Sequence, residues 1–409
     1  METLVIIYLI FIFVSMYLTI LLIMLYLKNH KTLFHDKEPE KLRFLTVTIP
    51  AYNEEKHIAD TIRAIQSVDY PKELMEIIVI NDGSTDNTLK EIKKFNGITI
   101  INKKNTGKAD SMNQALKIAR GEFFVTTDAD SFPNRDAFSK MVGYFNDPGV
   151  GAVTGAIISK DSSKLFVKMQ SIEYFIMAFA RKLFDYVDSV HVTPGPLSMY
   201  RTEVIRKLGG FDTSNITEDI EIGWKLMKHG YKNRMCLSAR VYTNVPIKLK
   251  SWWNQRLRWN IGGFQTLYKY RKVLFNVKES TLGLFVAPRF LIAYVLSIIG
   301  FFIFLYLIAA RIKAEIISAT MAAGSGVPQL ALHELNITPT VFTFFIILFL
   351  IFTLAYTITG LRTMNKGKLG VRGHIVTVFA YLLLYLVLFP PVLLHSIYIM
   401  ATKGVRWYK

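Results

Sequence analysis

From Leu4 to Leu27 the chain runs 24 residues without a charged side chain. At ~1.5 Å of rise per residue, such a run crosses the ~30 Å of bilayer hydrocarbon as one helix. It is too long for the apolar core of a cleavable signal segment, and no small-residue cleavage site follows, so it is expected to stay as an anchor. Three further apolar stretches of spanning length follow: Leu284–Ala310, Thr340–Leu361 and Ile375–Ala401. Lipid offers no partner for backbone polar groups, which makes all four helices. The residues between carry charge throughout and read as soluble. The expected organisation is a transmembrane helix in 1–30, a folded domain in 41–250, an amphipathic interfacial helix in 251–275 and a three-span transmembrane region in 284–402.

Cations mark the sides. Lys28, Lys31 and Lys37 follow the first stretch and place the next domain in the cytosol. The small-residue loop Ala322–Val327 has few cations and is expected outside, whereas Arg362, Lys366, Lys368 and Arg372 put the following loop inside. Three spans would then leave Lys403, Arg406 and Lys409 outside. Pro390-Pro391 interrupts the last stretch, so a broken or re-entrant segment is the alternative to a straight crossing. Lys plus Arg exceed Asp plus Glu by 49 to 31, a net +18. That excess suits nucleic acid, an anionic membrane face or phosphorylated substrates. No zinc-finger or RNA-recognition string accompanies it, so no nucleic-acid partner is expected, and lipid headgroups and a diphosphate account for the charge. Cys236 is the only cysteine, which excludes a disulfide framework within one chain and fits a reducing compartment.

Between Lys41 and Pro246, short β-branched runs alternate with amphipathic stretches, the pattern of an α/β sheet with crossover helices. Strands are expected at Phe44–Ile49, Met75–Ile80, Ile98–Ile101 and Phe123–Thr127. Helices are expected at Glu54–Ser67, Asp86–Lys94 and Lys108–Ala119, with Asn53 and Ser84 as polar residues before the first two. Four successive β/α steps imply a parallel sheet, whose ligands bind beyond the carboxyl ends of the strands. Ser251–Lys272 mixes Trp and Tyr with Arg and Lys, as in a helix lying at a membrane surface.

Four strings stand at those strand ends. Pro50-Ala51-Tyr52-Asn53-Glu54 offers free amides, a ring face for a base and a carboxylate, and reads equally as a capped βα turn. Asn81 to Asp86 offers Asp82 as an acceptor for a nucleobase edge beside Gly83, and also reads as a turn. Lys108 opens a helix where an ammonium can meet phosphate, though a solvated lysine has the same sequence. Asp128 and Asp130 follow a strand, and alternation along an extended segment puts both carboxylates on one side, as Mg²⁺ or Mn²⁺ requires.

In this order and at these places, the four strings resemble the nucleotide-binding half of family 2 glycosyltransferases with the GT-A fold. The resemblance continues through Pro194-Gly195-Pro196 with Tyr200-Arg201, then Thr217-Glu218-Asp219, then Gln255-Arg256-Leu257-Arg258-Trp259. With flanking membrane helices, this set is similar to the processive branch that includes hyaluronan, chitin, cellulose and poly-N-acetylglucosamine synthases. It covers Phe44 to Trp259 by motif and the remainder by layout. The resemblance implies a GT-A-type α/β domain with a mostly parallel sheet, and inverting, metal-dependent transfer from a nucleoside-diphosphate sugar, UDP-N-acetylglucosamine by overall similarity. It implies Asp219 as general base beside Glu218, and Asp128 and Asp130 as holders of Mg²⁺ or Mn²⁺. Pro50, Tyr52, Glu54, Asp82, Lys108, Asp128 and Arg258 would contact the donor. Pro194, Gly195, Pro196, Gln255 and Trp259 would contact the acceptor. Taken alone, Thr217-Glu218-Asp219 is also an acidic helix start capped by Thr217, and Arg258 and Trp259 also suit headgroup anchors.

The implied partners are the UDP-sugar, a glycan or lipid acceptor, membrane lipids and accessory export subunits. The implied location is the cell membrane, multi-pass, with the catalytic domain cytosolic. Two rivals remain at this stage: a transferase that makes a lipid-linked sugar, and an inactive scaffold subunit that keeps the fold for binding.

Overall fold

The structure, a computed structural model, describes residues 2–160, 164–279, 281–325, 341–364 and 375–403. Thr340, Lys366, Lys368, Arg372, Arg406, Lys409 and the end of the 322–327 loop lie outside the described residues.

The first helix, α1 (Glu2–Asn29), leads into a sheet whose first strands alternate with helices. The order is β1 (Leu45–Ala51), α2 (Ile58–Gln66), β2 (Met75–Asp82), α3 (Thr88–Ile92), β3 (Thr99–Lys103), α4 (Lys108–Ile118) and β4 (Phe123–Thr126). The second half is less regular: β5 (Ser131–Pro133), α5 (Ala137–Val142), β6 (Val150–Ser159), α6 (Leu165–Asp185), β7 (Ser198–Arg201), α7 (Thr202–Lys207), α8 (Glu218–Lys228) and β8 (Lys232–Thr243). Then come α9 (Leu249–Lys269), α10 (Ala287–Ser325), α11 (Val341–Met364) and α12 (Ile375–Lys403).

Among the described residues the sheet has eight strands in the order β3-β2-β1-β4-β7-β6-β8-β5. As expected, β1 to β4 pair in parallel. Beyond β4 the sheet turns mixed, because β7 runs antiparallel to both β4 and β6, and β5 runs antiparallel to β8. The core follows from period-two alternation. Leu45, Val47, Ile77, Val79, Phe123 and Val125 face one layer with Ile58, Ile62 and Ile65 of α2. Ile78, Ile80 and Phe124 face the other with Met112, Ala115 and Leu116 of α4. Each fully buried isoleucine of α2 contributes about 2 kcal/mol through removal from water.

Four described helices are long and apolar enough to cross a membrane, at Leu9–Thr32, Leu282–Met321, Ile347–Met364 and Val376–Thr402. One expected boundary changes, and one open alternative takes the form of an unbroken helix. Helix α10 does not stop near Ala310; one π turn (Leu282–Val286) feeds 39 continuous residues, because Arg311, Lys313 and Glu315 interrupt the apolarity but not the helix. Helix α12 passes Pro390 and Pro391 without a break. Its buried Val392 and Ile399 pack with Trp252, Leu257 and Ile261 of α9, and such packing by a neighbour holds a proline-bearing helix together. The membrane helices grip the sheet as well. Leu22, Leu25 and Leu33 near the end of α1 meet Phe179 and Leu183 of α6, Met235 and Leu237 of β8 and Met364 of α11.

Candidate active site

The loops after β1 and β2 are sewn to each other. Asn53 adopts φ 55°, a region that asparagine tolerates better than most residues. Its N–H donates to Ser84 Oγ (3.0 Å) and its Oδ1 accepts from the Thr85 N–H (2.9 Å). The Glu54 N–H donates to Thr88 Oγ1 (2.7 Å), and Glu55 accepts from the Asn87 N–H (3.0 Å). Asn53 and Ser84 thus do not cap the helices they precede; they tie one loop to the other. Tyr52 is left 48% exposed on this frame.

Asp82 is buried, and its oxygens accept from the N–H groups of Thr106 (2.9 Å) and Gly107 (2.9 Å) and from Lys103 Nζ (2.5 Å). It fixes the loop that opens α4, and so aims Lys108. Gly83 has φ +70°, and a Cβ there would stand 2.6 Å from the Asn105 amide.

Asp128 and Asp130 sit on a tight turn rather than an extended segment, since the Ser131 N–H returns to the Asp128 carbonyl (3.1 Å). Alternation survives locally. Ala129 points into the core, its carbonyl accepting from Thr61 Oγ1, while both acids are left half-buried on the other side. Burial and then Asp128 push the Asp130 carboxyl above its usual range. Glu54 joins them, and burial, then Asp130 and Asp128, push it up to about 7. Asp128 and its neighbours thus crowd negative charge around the raised Asp130 and Glu54 carboxyls, with Lys108 as a counter-charge on Asp128, and a hard divalent cation relieves such crowding further. The residues present therefore fit such a cation, although no group of three or more metal-ligating side chains is arranged as a complete site among the described residues.

Lys108 joins the two walls of the cleft. Its Nζ lies 2.5 Å from Asp128 Oδ1 and 3.1 Å from Glu218 Oε1. Above that contact runs the Pro194–Pro196 turn, held by Ser198 Oγ on the Pro194 carbonyl (2.9 Å) and by Tyr200 OH on Thr193 Oγ1 (3.0 Å). A Cβ on Gly195 would stand 2.3 Å from Lys108 Nζ and 2.9 Å from Asp128 Oδ1, so a larger residue there would push the Lys108–Asp128 pair aside. Arg201 is spent on the Phe145 carbonyl (3.1 Å) and holds a loop instead.

Glu218 and Asp219 begin α8. Thr217 caps nothing with its side chain; its Oγ1 meets Asn215 Oδ1 instead. The Asp219 carbonyl accepts from the Thr193 N–H (3.2 Å) and Oγ1 (3.0 Å), which ties α8 to the glycine turn. Burial and then Glu218 push the Asp219 carboxyl up to about 6, against the opposing pull of Lys108 and Arg258. Asp219 is thus in electrostatic reach of Lys108, Arg258 and Asp128.

Helix α9 closes this wall. A Cβ on Gly262 would overlap Thr217 Oγ1 at 1.9 Å, so the bare glycine lets α9 lie against the start of α8. Further along, Thr266 accepts from Asn215 (2.9 Å), Gln265 Oε1 accepts from the Ile216 N–H (2.9 Å), and Lys269 pairs with Asp212 and Glu221 (2.6 Å each). Arg258 is exposed and has no ion-pair partner among the described residues. Sequence reasoning passed over the residues beneath it. Arg256 is buried and pairs with Glu173 of α6, donates to Gln255 Oε1 (2.5 Å) and reaches Tyr385 OH on α12 (3.3 Å). Arg256 stood inside a noted string, whereas Glu173 lies in an apolar helix with nothing around it to single it out.

A parallel half with an acid pair beyond its strand end, and Glu218 and Asp219 across the cleft, is the arrangement expected of a GT-A-type glycosyltransferase. Family comparison agrees. The profile described as Glycosyl transferase family 2 matches residues 46–209, and the one described as Cellulose synthase matches residues 164–374. The chain belongs to the family 2 glycosyltransferases, in the branch that includes the cellulose synthases. It is similar to the poly-beta-1,6-N-acetyl-D-glucosamine synthase of Staphylococcus aureus (strain COL), 33% identical over 240 residues that cover 57% of this chain and 58% of the relative. The synthase of the same name from Staphylococcus epidermidis is 30% identical over 263 residues, 63% of each chain. The matched region thus spans less than two thirds of these relatives. Among solved structures, a mannosyltransferase from Pyrobaculum calidifontis in complex with GDP-mannose and Mn²⁺ shares the fold, with TM-score 0.53 and 22% identity over 88% of this chain and 99% of that one.

Proposed function

We propose that the protein transfers N-acetylglucosamine from UDP-N-acetylglucosamine to the end of a growing β-linked polysaccharide, with inversion, at the cytosolic face of a membrane. One observation carries this reading: Lys108 bridges Asp128 on the donor wall and Glu218 beside Asp219 on the other. The arrangement suits a single displacement. The acceptor hydroxyl oxygen attacks the anomeric carbon, its proton passes to the Asp219 carboxylate, and the bond to the diphosphate breaks with its electron pair leaving on phosphate oxygen. Asp128 and Asp130 are the residues that would hold a divalent cation, whose chemistry is to offset charge on the departing diphosphate. Lys108 and the unpaired Arg258 add fixed positive charge, the guanidinium in a form that matches phosphate bidentately. Tyr52, Glu54, Pro50 and Asp82 frame the base, and Gln255, Trp259 and the Pro194–Pro196 turn receive the acceptor sugar.

The curated relatives support a polymer and the choice of sugar. Lys28, Lys31 and Lys37 after the first span support the cytosolic placement, with anionic lipid as the neighbour and export subunits as further partners. The test uses the purified chain in lipid nanodiscs with Mg²⁺ or Mn²⁺ and a panel of labelled nucleotide sugars. Water-soluble polymer from UDP-N-acetylglucosamine, lost in Asp219→Asn, is the expected result. Organic-soluble glycolipid as sole product, or turnover intact in Asp219→Asn, would overturn it.

A further inference from the structure

We infer that Arg256 is a positioning residue that sets the acceptor platform, holding Gln255 and Trp259 in register between the catalytic domain and the last membrane helix. This rests on the proposed assignment of Gln255 and Trp259 to the acceptor. The guanidinium carbon lies 4.1 Å from the centre of the Trp259 ring and 5.2 Å from that of Trp252. A cation over one face of an indole leaves the opposite face for a sugar. The same group donates to Gln255 Oε1 (2.5 Å), so one planar fork orients both side chains. Its own place is fixed from two directions. Glu173 of α6 takes an ion pair with Nη2, and Tyr385 OH of α12 lies 3.3 Å from the same nitrogen. Tyr385 also meets the Trp252 ring edge-on at 5.8 Å.

Buried at 2% exposure, Arg256 touches neither the acid pair nor Asp219. Its influence therefore runs through Gln255 and Trp259, and loss of the fork should loosen the acceptor and leave the donor alone. Arg256→Lys keeps a charge for Glu173, which protects the fold, but one ammonium cannot pair Glu173, bond Gln255 and cover Trp259 together. In nanodiscs, Arg256→Lys is expected to keep the donor KM and the rate of donor hydrolysis by water within about twofold of the parent. Mean product length should fall at least fivefold, and Tyr385→Phe should give a smaller fall in the same direction.

A second readout needs no turnover. In a Trp252→Phe background, which removes the other ring beside the guanidinium, Arg256→Lys should change intrinsic tryptophan emission, and the change should vanish when both proteins also carry Trp259→Phe. Product length equal to the parent, or donor hydrolysis falling in step with product length, overturns the positioning role. So does an emission change that persists without Trp259. Absence of donor hydrolysis and of polymer in the parent would instead count against the proposed activity, while the emission comparison still decides the placement of Trp259.

Discussion

Asp219 carries the clearest prediction at the scale of single residues. Its carboxyl is raised to about 6 by burial and Glu218, and in the proposed role of base it has to be ionised to accept a proton. The kcat/KM profile is therefore expected to fall on the acid side of about pH 6. Glu218→Gln removes a neighbouring negative charge, so its acid limb should move to lower pH; a limb that stays put or moves up would assign the titration elsewhere. The contiguous strings were legible because nucleotide and acid chemistry uses neighbours on one loop. What was hidden was how they are used. Asn53 and Ser84 read as caps but sew two loops together, because a φ of 55° turns Asn53 sideways. Gly195 read as an acceptor contact, and its missing side chain in fact makes room for Lys108 and Asp128, which lie far from it in the chain.

Among elements, α9 and its crossing with α8 matter most. The sequence marked α9 as a helix by its aromatic and cationic mixture, but its inner face, where Gly262 meets Thr217, depends on a partner 45 residues away and no local pattern announces it. Gly262→Val should force the two helices apart. Overpacking of this kind costs ~1–3 kcal/mol. A fall of several degrees in Tm is expected together with at least tenfold loss of transfer, with nucleotide affinity, for which the β1 and β2 loops are the proposed frame, falling less than transfer by calorimetry. Equal loss of nucleotide affinity would mean that the two walls are not separable. The parallel half of the sheet was readable from four regular β/α steps; the antiparallel half was not, since β5 and β7 are three and four residues long and pair with distant strands.

For the whole molecule, hydropathy located four helices long and apolar enough to cross a membrane but set the end of α10 too early and left open whether α12 stays whole, because helix continuity depends on backbone bonding and neighbours rather than on apolarity alone. Labelling checks their sides. In a Cys236→Ser background, Lys94→Cys should resist a membrane-impermeant maleimide in intact cells and react in inverted vesicles, and Ile317→Cys on the distal part of α10 should behave the opposite way. The reverse pattern would turn the proposed topology over.

Helix α9 also has two ends with different attachments. Near its start Trp253 donates to His395 of α12 (3.0 Å), and near its finish it clamps the loop before Glu218 and Asp219. The proposed base is thus tethered through one stiff rod to a helix apolar enough to cross a membrane. A detergent harsh enough to strip α12 from that rod should silence transfer while circular dichroism and nucleotide affinity stay unchanged, and returning the protein to a bilayer should revive it.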